Sequence, residues 1–445
     1  MKVFDLALRC DFLLTLEGGK TDCLRDQVIG ISQSKIDAIF PWAEGLTKTP
    51  WRAKEFIHAK DQVVLPGLVN THTHLAMSLF RGLADDLPFN DWLYKAILPA
   101  ESKRVDAEFV RVGTRLAALE CIQSGVTTVC DMYYFENIVA EELERAGLRA
   151  VVGEAITDFP APDDKLLNGE KYKILEQMVE RYGSSQTITP CVAPHAPYTC
   201  SDETIQAAVK FASRHQLPLM IHVAETLPEN VESMKKYSKT SVQRLHDLGV
   251  MSSPHIFAHC THVTDEDIAL MARAHTGVAY NPESNMKLGV GAAPFSKLVK
   301  AGIAVGLGTD GAASNNDLSI LREADTAAKL QKLSQSNSIA MTASDALRAA
   351  TIEGARALGL DKVTGSLEPG KFADLICIDV STPQMIPHFD FPSLLVYSSA
   401  GAGVKTVICH GKILLEEGNV KTLDAKRVCA DALAYQQLIQ SSITV

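Results

Sequence analysis

Eight short runs rich in β-branched and other apolar residues recur between about residue 64 and residue 310, and they constrain the fold more than any other feature. Each run ends in a polar residue or a glycine and leads into a helical stretch, a pattern typical of parallel βα units. Eight such units close a barrel, so we predict an α/β chain with a (β/α)8, TIM-like barrel. The predicted strands are residues 67–71, 126–131, 148–153, 188–193, 219–223, 255–258, 276–280 and 303–308.

The two flanks of the barrel have a different pattern. Residues 1–63 contain short strand-like pieces, and residues 364–421 are strand-like again. We expect these flanks to pair into one small β-sandwich domain, which the barrel at residues 64–363 interrupts. Residues 422–445 predict a C-terminal helical tail.

The composition is that of an ordinary globular protein and argues against several classes of partner. The 445 residues are 46% hydrophobic and 22% charged, and the formal net charge is -10 with scattered lysines and arginines. Such a chain offers no basic surface for nucleic acid or anionic lipid, so we expect a small-molecule substrate. Its longest uncharged run contains proline, glycine and histidine, and we expect no membrane span. A homo-oligomer is left open.

The cysteines and the first residues bear on the cellular compartment. The chain has 10 cysteines, and none of them forms a Cys-x-x-Cys pair. In a protein of this length that distribution indicates reduced, buried thiols rather than a disulfide framework or a thiolate metal site. The opening segment is interrupted by charges and does not read as a secretory signal. We therefore expect a cytoplasmic protein.

Two histidines, His72 and His74, stand two residues apart at the end of the first predicted strand. Successive side chains of a strand alternate between its faces, so both imidazoles should point the same way. At the carboxyl end of a barrel strand that direction is towards an active site, where two imidazoles could begin a zinc site. Taken alone, the pair fits two polar loop histidines equally well.

Further candidate residues follow other predicted strands. His195 comes after the fourth strand, His222 after the fifth, His259 after the sixth and Asp310 after the eighth. A barrel brings the carboxyl ends of all its strands to one face, so residues far apart in the chain can meet around one ion. This placement favours a metal site over coincidence.

A carboxylate, Glu225, lies three residues beyond His222. A metal-activated water needs a base, and a neighbouring carboxylate can accept its proton and pass it to a substrate. The alternative is an acidic residue in the first turn of the next helix. Asp310 itself stands between Thr309 and Gly311, where a glycine allows the backbone to approach a ligand closely.

Several longer motifs occur in an order that resembles the amidohydrolase superfamily, in the branch of methylthioadenosine and S-adenosylhomocysteine deaminases. The resemblance extends over nearly the whole chain. Besides His222 with Glu225, it rests on HTHLAM at residues 72–77, RGLADDLP at 81–88, PHAPY at 194–198, SNMKL at 284–288 and GTDGAASNN at 308–316.

This resemblance implies a hydrolytic deaminase with one zinc ion per chain. By carry-over, the ion would be held by His72, His74, His222 and Asp310. Water would attack C6 of the purine, Glu225 would move its proton to N1, and ammonia would leave. By the same carry-over, His259 and Asp310 would orient the attacking oxygen. Glu101 would contact the ribose hydroxyls, and His195 would contact the nucleoside.

One stretch departs from relatives that accept S-adenosylhomocysteine. Where such relatives can present arginines after the third strand, this chain has Glu154 and Asp158, followed by Asp163 and Asp164. An acidic rim would repel the carboxylate of the amino-acid tail. We therefore expect methylthioadenosine or adenosine to be preferred over S-adenosylhomocysteine.

Two other interpretations are weighed against this one. The same ligand set also serves other aminohydrolases and chlorohydrolases of the superfamily, with guanine, pterin or triazine substrates. Some members have instead become non-catalytic scaffolds after losing metal ligands, whereas this chain has lost none of them.

Overall fold

The described residues of this computed structural model, 2–43, 51–163, 172–399 and 401–440, contain two eight-stranded sheets. The strands, in chain order, are Lys2–Leu14 (β1), Cys23–Ser32 (β2), Lys35–Pro41 (β3), Trp51–Pro66 (β4), Leu68–Thr73 (β5), Val126–Tyr133 (β6), Arg149–Ile156 (β7), Ile188–Pro194 (β8), Leu219–Val223 (β9), His255–His259 (β10), Gly277–Tyr280 (β11), Ala304–Leu307 (β12), Leu375–Asp379 (β13), Val404–Cys409 (β14), Lys412–Glu416 (β15) and Asn419–Val420 (β16).

Strands β5 to β12 form the predicted barrel. They are parallel, and each pairs with its neighbour in chain order. The circle is completed between β5 and the chain after β12, where Thr73 and Asp310 form a parallel bridge and the Asp310 amide donates to the His72 carbonyl at 2.9 Å. All eight predicted strands are present with ends shifted by a few residues, so the (β/α)8 prediction is confirmed.

Helices connect the barrel strands and extend the C-terminal end of the chain. No helix within the described ranges is long and apolar enough to cross a membrane. A π-helical turn occupies Trp92–Ile97. The α-helices are Phe89–Asp91, Leu98–Arg104, Ala107–Gln123, Glu136–Ala146, Lys173–Tyr182, Asp202–His215, Leu227–Tyr237, Ser241–Asp247, Asp265–Arg273, Pro282–Lys287, Phe295–Lys300, Ile320–Ser334, Ala343–Ala349, Ile352–Ala357, Phe391–Tyr397 and Ala425–Gln440.

Helix ends follow from local sequence. The helix Asp202–His215 begins after Ser201, whose hydroxyl accepts a hydrogen bond from the Thr204 amide, and two acidic residues occupy its first turn. A serine cap of this kind satisfies an amide that the helix cannot pair, and the acidic residues suit the positive end of the helix dipole. Residues Ile205, Ala208 and Ala212 are buried at helical spacing, so one face packs against the barrel.

The second sheet is built from both ends of the chain, as predicted. Its strand order is β16-β15-β14-β13-β4-β1-β2-β3, with β13 antiparallel to β4. Because side chains alternate along β13, Ile376 and Ile378 pack into the barrel's core whereas Leu375 and Cys377 pack into a separate core on the other face. The domain limits at residues 63, 363 and 421 stay predictions.

A buried ion pair fastens the barrel to the second sheet. Arg149, at the start of β7, donates through Nε to Oδ2 of Asp374 at 2.9 Å, and both side chains are buried. The other carboxylate oxygen of Asp374 accepts from the His410 amide at 2.6 Å. Two charges removed from water in this way depend strongly on each other.

Replacing Arg149 by methionine should therefore destabilise the protein markedly. The substitution leaves the Asp374 carboxylate buried without its cation, and breaking such a pair typically costs about 3–5 kcal/mol. The free energy of unfolding in urea measures the loss. Arg181→Met is the matched control, because Arg181 pairs with Glu144 at 3.3 Å on the surface and such pairs contribute about 0–1 kcal/mol. Equal losses in the two variants would contradict the prediction.

Candidate metal centre and active site

The barrel brings the predicted metal ligands together at the carboxyl ends of its strands. Nε2 of His72 lies 3.5 Å from Oδ1 of Asp310, and Nε2 of His74 lies 3.2 Å from the same oxygen. Nε2 of His222 lies 3.2 Å from Nε2 of His72. These residues come from β5, β9 and the chain after β12, and all four are buried or nearly so.

The hydrogen bonds around these side chains test whether a cation fits. Nδ1 of His74 contacts the carbonyl oxygen of Met132, and Nδ1 of His222 lies 2.7 Å from the carbonyl oxygen of His195. A carbonyl can only accept, so both Nδ1 atoms carry a hydrogen, which leaves each Nε2 atom as the one that could bind an ion. The candidate ligand atoms form two overlapping groups, His72 with His74 and Asp310 and His72 with His222 and His259, and within each group they lie within 4.8 Å of one another. Three imidazoles and a carboxylate form a donor set that suits zinc.

The pKa values of His72 and His74 are also consistent with a bound metal ion. Burial lowers the pKa of His72 to about 4, so its imidazole is neutral and available as a ligand. Burial alone would lower the pKa of His74 as well, but the hydrogen bond with Asp310 and the negative charge of that residue raise it to about 9. A divalent ion would take the place of that proton.

Asp131, at the end of β6, fixes the backbone on both sides of His74. Its Oδ1 accepts from the Thr73 hydroxyl at 2.5 Å and from the Leu75 amide at 2.7 Å. Asp131 is fully buried, and burial raises its pKa. No local sequence pattern predicts this contact, because it joins residues that are 58 and 56 positions apart.

Asp310 is held by its own loop and by the helix Pro282–Lys287, which follows β11. Oδ1 accepts from the Gly311 amide at 2.8 Å, and Oδ2 accepts from the hydroxyls of Ser284 and Ser314 at 2.7 and 3.1 Å. The residue itself has a positive φ of 61°. These contacts explain the serines of two motifs, Ser284 at residues 284–288 and Ser314 at residues 308–316, to which the sequence analysis assigned no role.

Glu225 and His259 lie beside the ligand group. Oε1 of Glu225 is 3.8 Å from Nε2 of His259, whose Nδ1 contacts Oδ1 of Asn285 at 2.9 Å. Burial raises the pKa of Glu225 to about 7. A carboxyl group with such a pKa can both accept and release a proton near neutral pH.

His195 forms hydrogen bonds in the site through both its ring and its backbone carbonyl. Its carbonyl oxygen accepts from the amide and from Nδ1 of His222, and its own Nδ1 contacts the Thr199 hydroxyl at 2.9 Å. Burial lowers the pKa of His195 to about 3, so its imidazole is neutral. The side chain faces the same cavity as the candidate ligands.

A cavity contains the site. Its polar lining residues include His74, His222, Glu225, His259 and Asp310. Its apolar lining residues include Phe89, Trp92, Leu93, Ile97 and Leu98, from the helical segment that follows β5. Such a mixed lining suits a small ligand that carries both a polar ring and an apolar substituent.

Glu101 lies in this cavity on the helix Leu98–Arg104. Its Oε1 accepts from the Tyr133 hydroxyl at 2.6 Å. Burial raises the pKa of Glu101 to about 7, and the tyrosine hydrogen bond lowers it. Tyr133 was missed because the predicted second strand stopped at residue 131, whereas β6 continues for two more residues.

The acidic stretch after the third strand does not line the cavity as expected. Glu154 accepts from the Glu136 amide at 2.9 Å, and Asp163 accepts from the Phe135 amide at 3.3 Å, so both serve the start of a helix. Asp158 accepts from the Ser201 amide. The expected acidic rim is wrong for Glu154 and Asp163, whereas Asp158 is exposed and lines a neighbouring cavity that shares Leu98 and Tyr198 with this one. Asp164 lies outside the described residues.

A barrel that carries imidazoles and a carboxylate at the carboxyl ends of its strands belongs to a class of enzymes that use a metal ion. The sequence profile of the amidohydrolase family matches residues 63–414, and the chain belongs to this family.

Relatives and a solved structure are similar over nearly the full length. The chain is 42% identical over 428 residues to a 5-methylthioadenosine/S-adenosylhomocysteine deaminase of Syntrophobacter fumaroxidans, covering 95% of this chain and 96% of the relative. It is 40% identical over 431 residues to a 5'-deoxyadenosine deaminase of Methanosarcina mazei, covering 96% of each. An adenosine deaminase of Xanthomonas campestris with bound zinc has a TM-score of 0.94 and 34% identity, with 99% of each chain covered.

Tyr133→Phe should make stability more sensitive to alkaline pH. The pKa of Glu101 is about 7 in the fold against an ordinary value of 4.5, so its protonation favours folding; this contribution is complete below pH 4.5 and is lost as pH rises through 7. Without the tyrosine hydrogen bond the ionised form is still less favourable. The fall in the thermal unfolding midpoint relative to wild type should therefore be larger at pH 8.5 than at pH 5.

Tyr134→Phe is the control for this measurement, since Tyr134 is the adjacent buried tyrosine in the same cavity. Its effect should be similar at the two pH values. A Tyr133→Phe effect that is also independent of pH would show that Glu101 does not depend on this hydroxyl.

Proposed function

We propose that the protein catalyses the zinc-dependent hydrolytic deamination of an adenosine derivative, with release of ammonia and an inosine-type product. One observation carries the proposal: the buried carboxyl group of Glu225, with a pKa of about 7, lies in a cavity beside the candidate metal ligands His72, His74, His222 and Asp310. The similarity to deaminases of 5-methylthioadenosine, S-adenosylhomocysteine and 5'-deoxyadenosine supports this choice of substrate class.

The proposed cofactor is one zinc ion per chain, held by His72, His74, His222 and Asp310. When bound, the ion lowers the pKa of a coordinated water to about 7 and so supplies a nucleophile at neutral pH. The zinc in a solved relative supports the choice of metal. No lysine stands at the end of β8, where His195 occurs, that would provide a carbamylated bridge to a second ion.

Proton transfer falls to Glu225. Its carboxylate would accept a proton from the attacking water and deliver it to N1 of the purine while the oxygen adds to C6. The C6 amino group then leaves as ammonia with the second proton, and the C6 carbonyl forms. His259 and Asp310 would orient the attacking oxygen, since both flank Glu225 in the cavity.

Substrate binding would use both polar and apolar lining residues of the cavity. Glu101 would accept hydrogen bonds from the ribose hydroxyls through Oε2, because Tyr133 occupies Oε1. The neutral His195 would contact the nucleoside. The apolar lining residues suit a small 5' substituent such as methylthio, and among the described residues that line the cavity there is no lysine or arginine to bind the carboxylate of S-adenosylhomocysteine.

The compartment is proposed to be the cytoplasm. All 10 cysteines lie in the described residues and are free thiols, most of them buried. Unpaired cysteines are typical of proteins from reducing compartments.

The purified protein should contain one zinc ion per chain, and His72→Ala should lose most of it. The substitution removes one of four ligands and leaves the rest unable to complete a tetrahedral shell. Elemental analysis by mass spectrometry measures the content. His58→Ala, which alters a half-exposed histidine on the second sheet, should keep the full amount. Two ions per chain would contradict the single-ion site, as would undiminished zinc in His72→Ala.

Glu225→Gln should keep zinc but lower kcat by about 10²-fold or more, because an amide cannot accept the proton of the attacking water. Ammonia release and the absorbance change of the purine ring measure turnover. The assay should include 5'-methylthioadenosine, adenosine and S-adenosylhomocysteine, of which the first two should have the higher kcat/KM. Normal turnover of Glu225→Gln would remove this residue from the mechanism.

The same assay separates the alternative substrates. Guanine, a pterin and a triazine serve as probes of the other aminohydrolase and chlorohydrolase activities. Turnover of any of these without turnover of the three nucleosides would overturn the proposed substrate class and leave the zinc site intact.

A further inference from the structure

The backbone that carries Glu225 has a conformation that its residues do not favour. Ala224, the residue before Glu225, has a φ of 51°, in the left-handed region. An alanine there brings its Cβ close to the following carbonyl, so the conformation needs support from its surroundings. Ala224 is also fully buried, which leaves water unable to pair its amide.

Glu229 supplies that support with both oxygens of one carboxylate. Oε1 accepts from the Ala224 amide at 2.8 Å, and Oε2 accepts from the Glu225 amide at 3.0 Å. Glu229 lies in the first turn of the helix Leu227–Tyr237, and its own amide donates to the Thr226 hydroxyl at 3.3 Å. Only 6% of Glu229 is exposed, so water competes little for these hydrogen bonds.

The neighbouring strand fixes the other side of the same peptide. The amide of His262 donates to the Ala224 carbonyl at 2.9 Å, and the amide of Cys260 donates to the Val223 carbonyl at 3.0 Å. The Ala224–Glu225 peptide is therefore held at its carbonyl by the chain after β10 and at its amide by Glu229. This determines where the Cα–Cβ bond of Glu225 points, with the carboxyl group 3.8 Å from His259.

We propose that Glu229 is a positioning residue for the proton-transferring Glu225, a role that rests on the proposed function. It acts through the backbone of residues 224 and 225 and not through contact with substrate. A carboxylate suits the role because it has only acceptors, and its charge strengthens both hydrogen bonds. A glutamine would accept one amide through its oxygen and would turn an NH2 group towards the other.

Glu229→Gln should lower kcat by about 10- to 100-fold while KM and zinc content stay near the wild-type values, because a displaced catalytic group impairs chemistry more than binding. The assay measures ammonia release from the best nucleoside substrate by the zinc-loaded protein. Glu232→Gln is the matched control, because this exposed glutamate on the same helix should tolerate the change with unaltered kcat.

A double-mutant cycle with Glu225→Gln separates positioning from a general structural role. If Glu229 acts through Glu225, adding Glu229→Gln to Glu225→Gln should cost less than about threefold in kcat, since the group being positioned is already disabled. Losses that multiply would overturn the proposal, as would wild-type kcat in Glu229→Gln or a fall in zinc that parallels the fall in activity.

Glu229→Asp keeps the proposal testable if the glutamine variant fails to fold. The shorter side chain retains the charge but cannot reach both amides, so kcat should again fall with KM unchanged; an unaltered kcat would overturn the proposal. If the proposed function itself is wrong, no adenosine derivative is deaminated or Glu225→Gln has no effect on kcat. A strong effect of Glu225→Gln without an effect at Glu229 refutes only the positioning role.

Discussion

Three imidazoles and one carboxylate lie close together at one end of the barrel, and the rest of the structure depends on holding them there. Ring nitrogens of His72, His74 and His222 and the carboxylate of Asp310 each lie within 3.5 Å of a neighbour in the group. Such an arrangement is unfavourable unless a cation is shared between them. The barrel provides the stiffness, because the backbone bonds that bring Asp310 to β5 and His222 to the end of β8 are also bonds that close the sheet.

Positive φ angles occur at or just after the ends of barrel strands, next to candidate site residues. Ala224, His259 and Asp310 have φ angles of 51°, 72° and 61°, and none of them is a glycine. Residues in this region persist only when their surroundings determine them. For Asp310 the support comes from the hydroxyls of Ser284 and Ser314, and for Ala224 it comes from one carboxylate.

The sequence predicted the fold and the placement of the candidate residues at strand ends because both depend on short-range periodicity, whereas the choice of four ligands among them came from the family resemblance. Strand alternation alone places His72 and His74 on one side, and the strand order places Asp310 beside them. Tyr133 was missed because its contact with Glu101 spans 32 positions, and no local pattern records such a pairing. The expected acidic rim was wrong because sequence shows that Glu154 is charged but not that its strand buries it against a helix start.

Three carboxyl groups in one cavity have different pKa values because their burial and their neighbours differ. Burial raises the pKa of both Glu225 and Glu101 to about 7, so each can gain or lose a proton near neutrality. Burial would raise the pKa of Asp310 too, but hydrogen bonds with His72 and His74 hold it well below its usual range. A carboxylate that stays ionised can hold a cation, whereas one that titrates near pH 7 can move a proton. The hydrogen bonds with His72 and His74 therefore distinguish Asp310, which suits it as a candidate ligand, from Glu225, whose pKa suits it as a candidate acid and base.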